Sequence, residues 1–365
     1  MKICVITPRF TLTGVPLAQL RFARALASRG HDVDLVIGAI EPGLTVPASS
    51  GVRMIELGQL QVRKMIRPIA AYMRREQPDV IFSAEDHLTT IVLMVAVVIR
   101  SRAMISGSSR VSPLTTFSNV PLTKKWFLKR LLQSLFWRAN ALTCVSKDMV
   151  VQFRTVFKNP PHTNVYNIID DAASRQRMLE AVDEEWLNDK QIPVIIAAGT
   201  LSWRKGFDDL VAAFGQVLAS GRKARLLILG EGHKRAELES QIAELGISDH
   251  VKLPGYTTNA LKYFSRADVF VLSSRFEGLP NVLVEAMVCG CTPVATDCPT
   301  GPREVLQDNR YGYLVPVGDR NALAAAIIDA LDRPIAPELL AEAVRPFEES
   351  AVIARHFELL GIEAG

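Results

Sequence analysis

The chain lacks the long hydrophobic runs, paired cysteines and glycine fingerprints that would place it in several common classes. Its longest apolar run, Ile91 to Ile99, falls far short of the ~20 residues that a membrane-spanning helix needs. No signal-peptide pattern leads the chain, because Met1 runs straight into the strand-like "KICVITP". A cytosolic protein, attached to a membrane at most from outside, is therefore expected. The 5 cysteines (Cys4, Cys144, Cys289, Cys291 and Cys298) are odd in number and include no C-x-x-C pair. Buried thiols in a reducing compartment fit them better than a disulfide framework or a metal cluster. The loop after the first strand, "TPRFTLTGVPLAQL", holds one glycine, Gly14, and not the G-x-G-x-x-G of a dinucleotide site. This counts against a nicotinamide enzyme.

What is present is ordinary in bulk and uneven in placement. At 365 residues, 48% apolar and 22% charged, the chain suits a soluble α/β enzyme with two domains. The net charge of +4 hides an asymmetry. Residues 1–180 carry twice as many Lys and Arg as Asp and Glu, and the remainder carries an excess of acids. A basic first half points to an anionic partner. Strand-like runs alternate with helix-like stretches twice over. "KICVIT", "DVDLVIG", "DVIFSA", "AMISGS" and "ALTCVS" form the first series. "PVIIAAG", "RLLILG", "HVKLPG", "VFVLSS", "TPVATD" and "GYLVPV" form the second. Such alternation predicts two doubly wound parallel sheets covered by helices. The expected limits are 1–170 for the first domain, a charged strandless linker over 171–192, and a second domain from 193 to 345.

Ligands of doubly wound sheets lie at the carboxyl ends of the strands, so the loops there carry the candidates. Gly14 would let backbone approach a phosphate or sugar at a helix N-terminus, and an ordinary turn is the plain alternative. "AAGTLSWRKGFDDL" repeats the arrangement around Gly199 and adds Arg204 and Lys205, a fork and a point charge suited to a diphosphate, with surface charge near a loop as the plain alternative. "LGEGHKRAELE" also follows a strand but reads better as the start of an exposed helix. His87, beside Glu85 and Asp86 in "FSAEDHLTT", could orient substrate or form a capping cluster. Asp208 and Asp209 lie on the helix past the phosphate loop, so no metal site is expected.

The segment "EGLPNVLVEAMVCGCTPVAT" poses the sharpest question. Its helix, running between Pro280 and Gly290, is apolar on every side and is expected to be buried, yet it carries Glu285. A buried carboxylate needs a partner, and vicinal ribose hydroxyls offer two donors for two oxygens. Glu277, with the backbone N–H groups of Gly278 and Leu279, stands at the helix entrance where the other end of a ligand would lie.

Glu277 and Glu285, as E-x7-E in "SSRFEGLPNVLVEAMVCGCTPVATDCPTGPREVL", resemble the retaining glycosyltransferases of family 4. "GTLSWRKGFDDL" is similar to their lysine loop, and "RANALTCVSKDM" and "NVYNIID" to segments of their first domain. The resemblance implies a GT-B fold: two facing Rossmann-like domains, the first for the acceptor and the second for a nucleotide-sugar. It also implies a last helix, within 346–365, that returns to the first domain. It assigns Lys205 to the donor diphosphate, Glu285 to the ribose and Glu277 to the sugar hydroxyls. Gly14, Gly199, Thr200, Gly278, Leu279 and Glu304 fall among the donor-binding positions. "TDCPTGPREVL" leans towards a UDP-hexose or UDP-N-acetylhexosamine used in surface-glycan synthesis. The chain departs from the family pattern at Thr200, where Arg is usual and Arg204 offers the nearest replacement. It departs again at Gly107, Ser108 and Ser109, where a polar active-site residue is usual and Arg110 is the nearest charge, open to an acceptor. A third departure is Ile168, where Pro is common.

The implied chemistry uses no metal or cofactor: Arg204 and Lys205 neutralise the leaving diphosphate while the acceptor attacks from the same face. A sugar-nucleotide isomerase on the same fold and an inactive nucleotide-sugar-binding scaffold are the competing readings. The basic stretches "LTKKWFLKRLLQSLFWR" and "RKMIRPIAAYMRRE" mix cations with apolar residues. They suit an anionic bilayer and a lipid-linked acceptor, while their aromatics would equally suit a core. No nucleic-acid reader motif accompanies them.

Overall fold

Val, Ile and Leu fill the runs between the turn signals, and each run becomes a parallel strand, buried on both faces except where "HVKLPG" and "GYLVPV" form partly buried sheet edges. The computed structural model describes residues 1–11, 14–47, 50–188 and 191–363. It divides into two compact units, Met1–Ile168 with Glu349–Gly365, and Ile169–Glu348.

The first unit holds β1 (Lys2–Phe10), β2 (Asp32–Ile40), β3 (Val52–Glu56), β4 (Val80–Ala84), β5 (Met104–Ser109), β6 (Ala141–Cys144) and β7 (His162–Asn164). They pair in the order β3-β2-β1-β4-β5-β6-β7. β3 and β7 lie outside the runs expected from sequence. As edge strands they have one neighbour each and are only partly buried, so "VRMIE" and "HTN" carry no continuous apolar signal. The second unit holds β8 (Val194–Ala198), β9 (Arg225–Leu229), β10 (Val251–Gly255), β11 (Val269–Leu272), β12 (Thr292–Thr296) and β13 (Tyr313–Val315). Their order, β10-β9-β8-β11-β12-β13, is that of a Rossmann sheet. Every pairing in both sheets is parallel.

The last helix, Glu349–Leu360, belongs to the first unit. Its Val352, Ile353, Phe357 and Leu360 join Ile3, Val5, Phe22 and Phe82 in one core. His356 of this helix is buried against the rings of Phe22 and Phe82, and burial holds its imidazole down at about 3, so it is neutral. The described residues of the strandless segment 171–192 fold with the second unit. Asp171 caps the helix Ala172–Met178, and Asn259 Nδ2 donates to the Arg177 carbonyl of that helix (2.9 Å).

Candidate functional site

In the second unit the strand order reverses between β8 and β11, and the loops leaving these two strands part to either side. The β8 loop runs from Gly199 through a single tight turn, Trp203–Lys205, to Gly206, which starts the helix Phe207–Ala219. Gly206 sits at φ 62°, and a Cβ there would lie 2.1 Å from the Ser273 carbonyl oxygen at the end of β11. Only glycine lets the two loops meet so closely. Ser273 Oγ donates to the Lys205 carbonyl (2.8 Å), and the Arg275 N–H donates to the Arg204 carbonyl (2.8 Å). Arg275 also donates to the Trp203 carbonyl (2.7 Å) and forks onto Asp208 (3.0 and 2.8 Å). Asp209 is held by Arg275 and Arg320. The two aspartates are thus braces for the loop. We expect Gly206→Ala to cost about 2–3 kcal/mol, from the left-handed backbone and the carbonyl clash together, read as a lower unfolding temperature.

Lys205 Nζ lies 2.6 Å from Glu277 Oε1, with the two side chains 11% and 8% exposed. Ser274 Oγ donates to the same oxygen (2.7 Å), and Thr300 Oγ1 donates to the Glu277 carbonyl (2.5 Å). Glu277 is therefore fixed from three strand ends, those of β8, β11 and β12. Beside it, the N–H groups of Gly278 and Leu279 make no hydrogen bond among the described residues and stay open at the entrance to the helix Asn281–Val288. Their turn packs on Gly301, where a Cβ would lie 2.8 Å from the Gly278 carbonyl oxygen. Glu304 follows in the first turn of the helix Pro302–Leu306, partly buried. Cys298 is buried nearby, and its thiol is pushed up to about 12 by burial and then by the Glu277 charge, so it stays protonated.

The helix expected to be buried all round is not. Leu283, Val284, Ala286 and Met287 are buried, whereas Val282, Glu285 and Val288 are half-buried on an open face. The Glu285 side chain has no hydrogen bond or ion pair among the described residues. Apolar composition alone overstated the burial because this short helix covers the sheet with one face only. Arg204 is exposed and its guanidinium is likewise unpaired among the described residues. Thr200 is exposed on the same loop. The structure therefore brings Gly199, Thr200, Arg204, Lys205, Glu277, Gly278 and Leu279 together on loops locked to one another at one switch point. No cluster of His, Cys, Asp and Glu suited to a metal ion occurs among the described residues.

A second polar group lies in the first unit, at the carboxyl ends of β4 and β5 beside the strand-order reversal at β1 and β4. Here the expectation for His87 changes. His87 is exposed and hydrogen-bonds neither Glu85 nor Asp86. Asp86 turns inward instead and accepts from Ser109 Oγ (2.5 Å). Burial pushes its carboxyl up to about 7, against the Ser109 bond and with the help of the Glu85 charge. Glu85 sits at φ 74°, an unusual conformation for a non-glycine residue that is common at functional sites. Burial raises its carboxyl, opposed by the charges of Arg110 and Arg9. Arg110 is bonded to Asn167, and its Nε is buried without a partner among the described residues. Gly14, offered for close backbone approach, has open space around it. Ser274, Thr300 and Arg275 were not singled out from the sequence, whereas Asp86 and Ser109 entered it only as neighbours of His87 and Arg110. The one local signal was for Arg275 and Ser274, which stand just before Glu277.

Two Rossmann-like units, the second with a cation–carboxylate site at its switch point, define the GT-B class of fold. A family model described as "Glycosyl transferases group 1" matches residues 180–346, and a "Glycosyl transferase 4-like domain" matches residues 13–166. The two models together place the chain among the group 1 glycosyltransferases of GT-B fold. It is 35% identical over 200 residues to the N-acetylgalactosamine-N,N'-diacetylbacillosaminyl-diphospho-undecaprenol 4-alpha-N-acetylgalactosaminyltransferase of Campylobacter jejuni, covering 53% of this chain and 52% of that protein. It is 33% identical over 233 residues to the lipopolysaccharide core biosynthesis glycosyltransferase LpsD of Rhizobium meliloti, covering 61% and 64%. The matches thus span about half to two-thirds of these relatives' lengths. Anabaena HepE, solved with UDP and glucose, superposes with a TM-score of 0.73 over 99% of both chains at 18% identity, a likeness of fold. Membership of this family leaves the isomerase reading without support.

Proposed function

We propose that this chain transfers a hexose or N-acetylhexosamine from a UDP-sugar to a hydroxyl of a lipid-linked or surface-glycan acceptor, with retention of anomeric configuration. The observation that carries the reading is the Lys205–Glu277 pair with the groups on its loops and the following helix that have no partner among the described residues: the Arg204 guanidinium, the N–H groups of Gly278 and Leu279, and the Glu285 carboxylate. Cations on one loop and carboxylates on the next suit a ligand with a diphosphate between two hydroxyl-bearing rings. Support comes from the nucleotide in the HepE structure and the diphospho-undecaprenol in the name of the Campylobacter relative.

In this reading Lys205 and Arg204 stabilise the charge that grows on the leaving diphosphate, which is the step where fixed charge lowers a barrier most. Glu277, fixed by Ser274 and Lys205, orients the donor sugar. The open N–H groups of Gly278 and Leu279 hold a ligand oxygen, and Glu285 takes the ribose hydroxyls. Glu304, Gly199 and Thr200 line the donor. The leaving phosphate oxygen takes the proton of the acceptor hydroxyl as that hydroxyl attacks from the same face. His87 and Arg110 are the first-unit groups offered to the acceptor side. The two cations supply the charge for this role, so the reading needs no divalent ion. The five cysteines, unpaired among the described residues, suit a reducing compartment and hence the cytoplasmic face of a membrane.

A panel of nucleotides and nucleotide-sugars, titrated by calorimetry, tests the donor site. One UDP-sugar is expected to bind, and Glu285→Ala is expected to weaken it about ten- to a hundredfold, the range for hydrogen bonds to a charged group. Binding of no nucleotide by the wild-type chain would overturn the reading.

A further inference from the structure

From His87 to Lys147 the chain contains nine Lys and Arg and no Asp or Glu. Within this acid-free stretch lies the helix Lys124–Leu135, whose start is capped by Thr123 Oγ1 accepting from the Trp126 N–H (3.2 Å). Leu132 and Leu135 face the core. A stripe bordering this buried edge, Lys124, Phe127, Leu131 and Ser134, follows helical spacing and is exposed. Phe127 is 55% exposed, and Trp137, in the turn that ends the helix, is 73% exposed. The loop before the helix adds Val120 and Leu122, the latter 80% exposed. Leu122 is held at φ 62°, a costly conformation for a leucine that leaves most of its surface in solvent. Lys124, Lys125 and Arg130 are exposed among these apolar tips, with no carboxylate partner among the described residues.

We infer that this face, Val120 to Trp137, docks onto an anionic lipid bilayer, with Leu122, Phe127 and Trp137 entering the headgroup layer and Lys124, Lys125 and Arg130 contacting lipid phosphates. Large apolar tips interleaved with cations that have no carboxylate partner among the described residues match an interface that is negative outside and apolar within. A protein interface core would instead be depleted in charge, and a nucleic acid gives exposed leucine nothing to enter. No helix among the described residues is long and apolar enough to cross a membrane, so the contact is peripheral. The inference deepens the proposed function by naming the surface that brings the chain to a lipid-linked acceptor, and it rests on that reading for the acceptor alone.

Co-sedimentation with vesicles tests it, using phosphatidylcholine alone or with about a third phosphatidylglycerol, at low and high salt. The wild-type chain is expected to pellet with the anionic vesicles at low salt. The variant Leu122→Ser/Phe127→Ser/Trp137→Ser is expected to lose about tenfold or more in partitioning. Lys124→Gln/Lys125→Gln/Arg130→Gln is expected to remove the salt-sensitive part. All replaced side chains are exposed, and circular dichroism checks the fold of each variant. In the unmodified chain, tryptophan emission should shift to shorter wavelength on adding anionic vesicles, and Trp137→Phe should reduce that shift. Wild-type protein remaining in the supernatant overturns the inference. So does equal binding to neutral vesicles, or a serine variant whose only change is loss of a dimer in sedimentation velocity. UDP binding to the second unit is read in parallel. Wild-type protein that binds UDP but no anionic vesicles sinks the docking surface alone, and wild-type protein that binds the vesicles but not UDP sinks the donor site alone.

Discussion

With Lys205 replaced by alanine, sugar transfer is expected to fall about a hundred- to a thousandfold, the range for removing one group that stabilises transition-state charge. The same change strands Glu277, whose side chain is 8% exposed and would keep only the Ser274 hydroxyl as a side-chain partner. A carboxylate left without its cation in such a place costs about 2–4 kcal/mol, since some water reaches it. The two effects separate by measurement. Initial rates with labelled donor report the first, and the unfolding temperature of Lys205→Ala against Lys205→Ala/Glu277→Gln reports the second. The double variant should regain most of the stability and none of the rate. A single variant that keeps more than a tenth of wild-type turnover would show that Lys205 braces the loop without acting on the diphosphate.

The second large effect is a pH dependence in the first unit. Asp86 is buried, and its carboxyl stands at about 7 where an ordinary aspartate lies near 4. The folded state therefore holds a proton that the unfolded chain releases. Stability from the protonated carboxyl is complete below about pH 4 and is lost as pH rises through about 7, a swing of about 4 kcal/mol. Asp86→Asn, which cannot ionise, should match wild type near about pH 4 and exceed it by about 2–4 kcal/mol above about pH 8. Hydrogen-exchange protection of β4 and β5 at the two pH values measures the difference, and the second unit serves as an internal reference. An equal difference at both values would mean that Asp86 does not change its protonation across this range.

The two sheets were legible because parallel strands, buried on both faces, must be continuous apolar runs, and eleven such runs stood between turn signals. The edge strands β3 and β7 escaped notice because a strand with one neighbour need not be apolar. Glu277, Glu285 and Lys205 were legible as candidates, because a charge at a helix door or on an apolar helix, and cations after a strand–glycine turn, each call for a partner.

What the tertiary structure decided is whatever depends on distant residues meeting. Lys205 and Glu277 are 72 positions apart, and nothing in either neighbourhood announces their ion pair. Asp208 and Asp209 became loop braces because Arg275 arrives from the end of β11, and Asp86 turned inward because Ser109 of β5 lies beside it. Composition made the helix at Asn281–Val288 look wholly buried, but burial is set by what packs against each face, and one face was left open at Glu285. The same reasoning separates the aromatics of the basic helix. Their sequence suits core and membrane equally, and only the packing of Leu132 and Leu135 inward turned Phe127 out to solvent. Periodicity and chemistry are local properties and can be read along the chain, whereas pairing and exposure are relations between segments and exist only once the chain has folded.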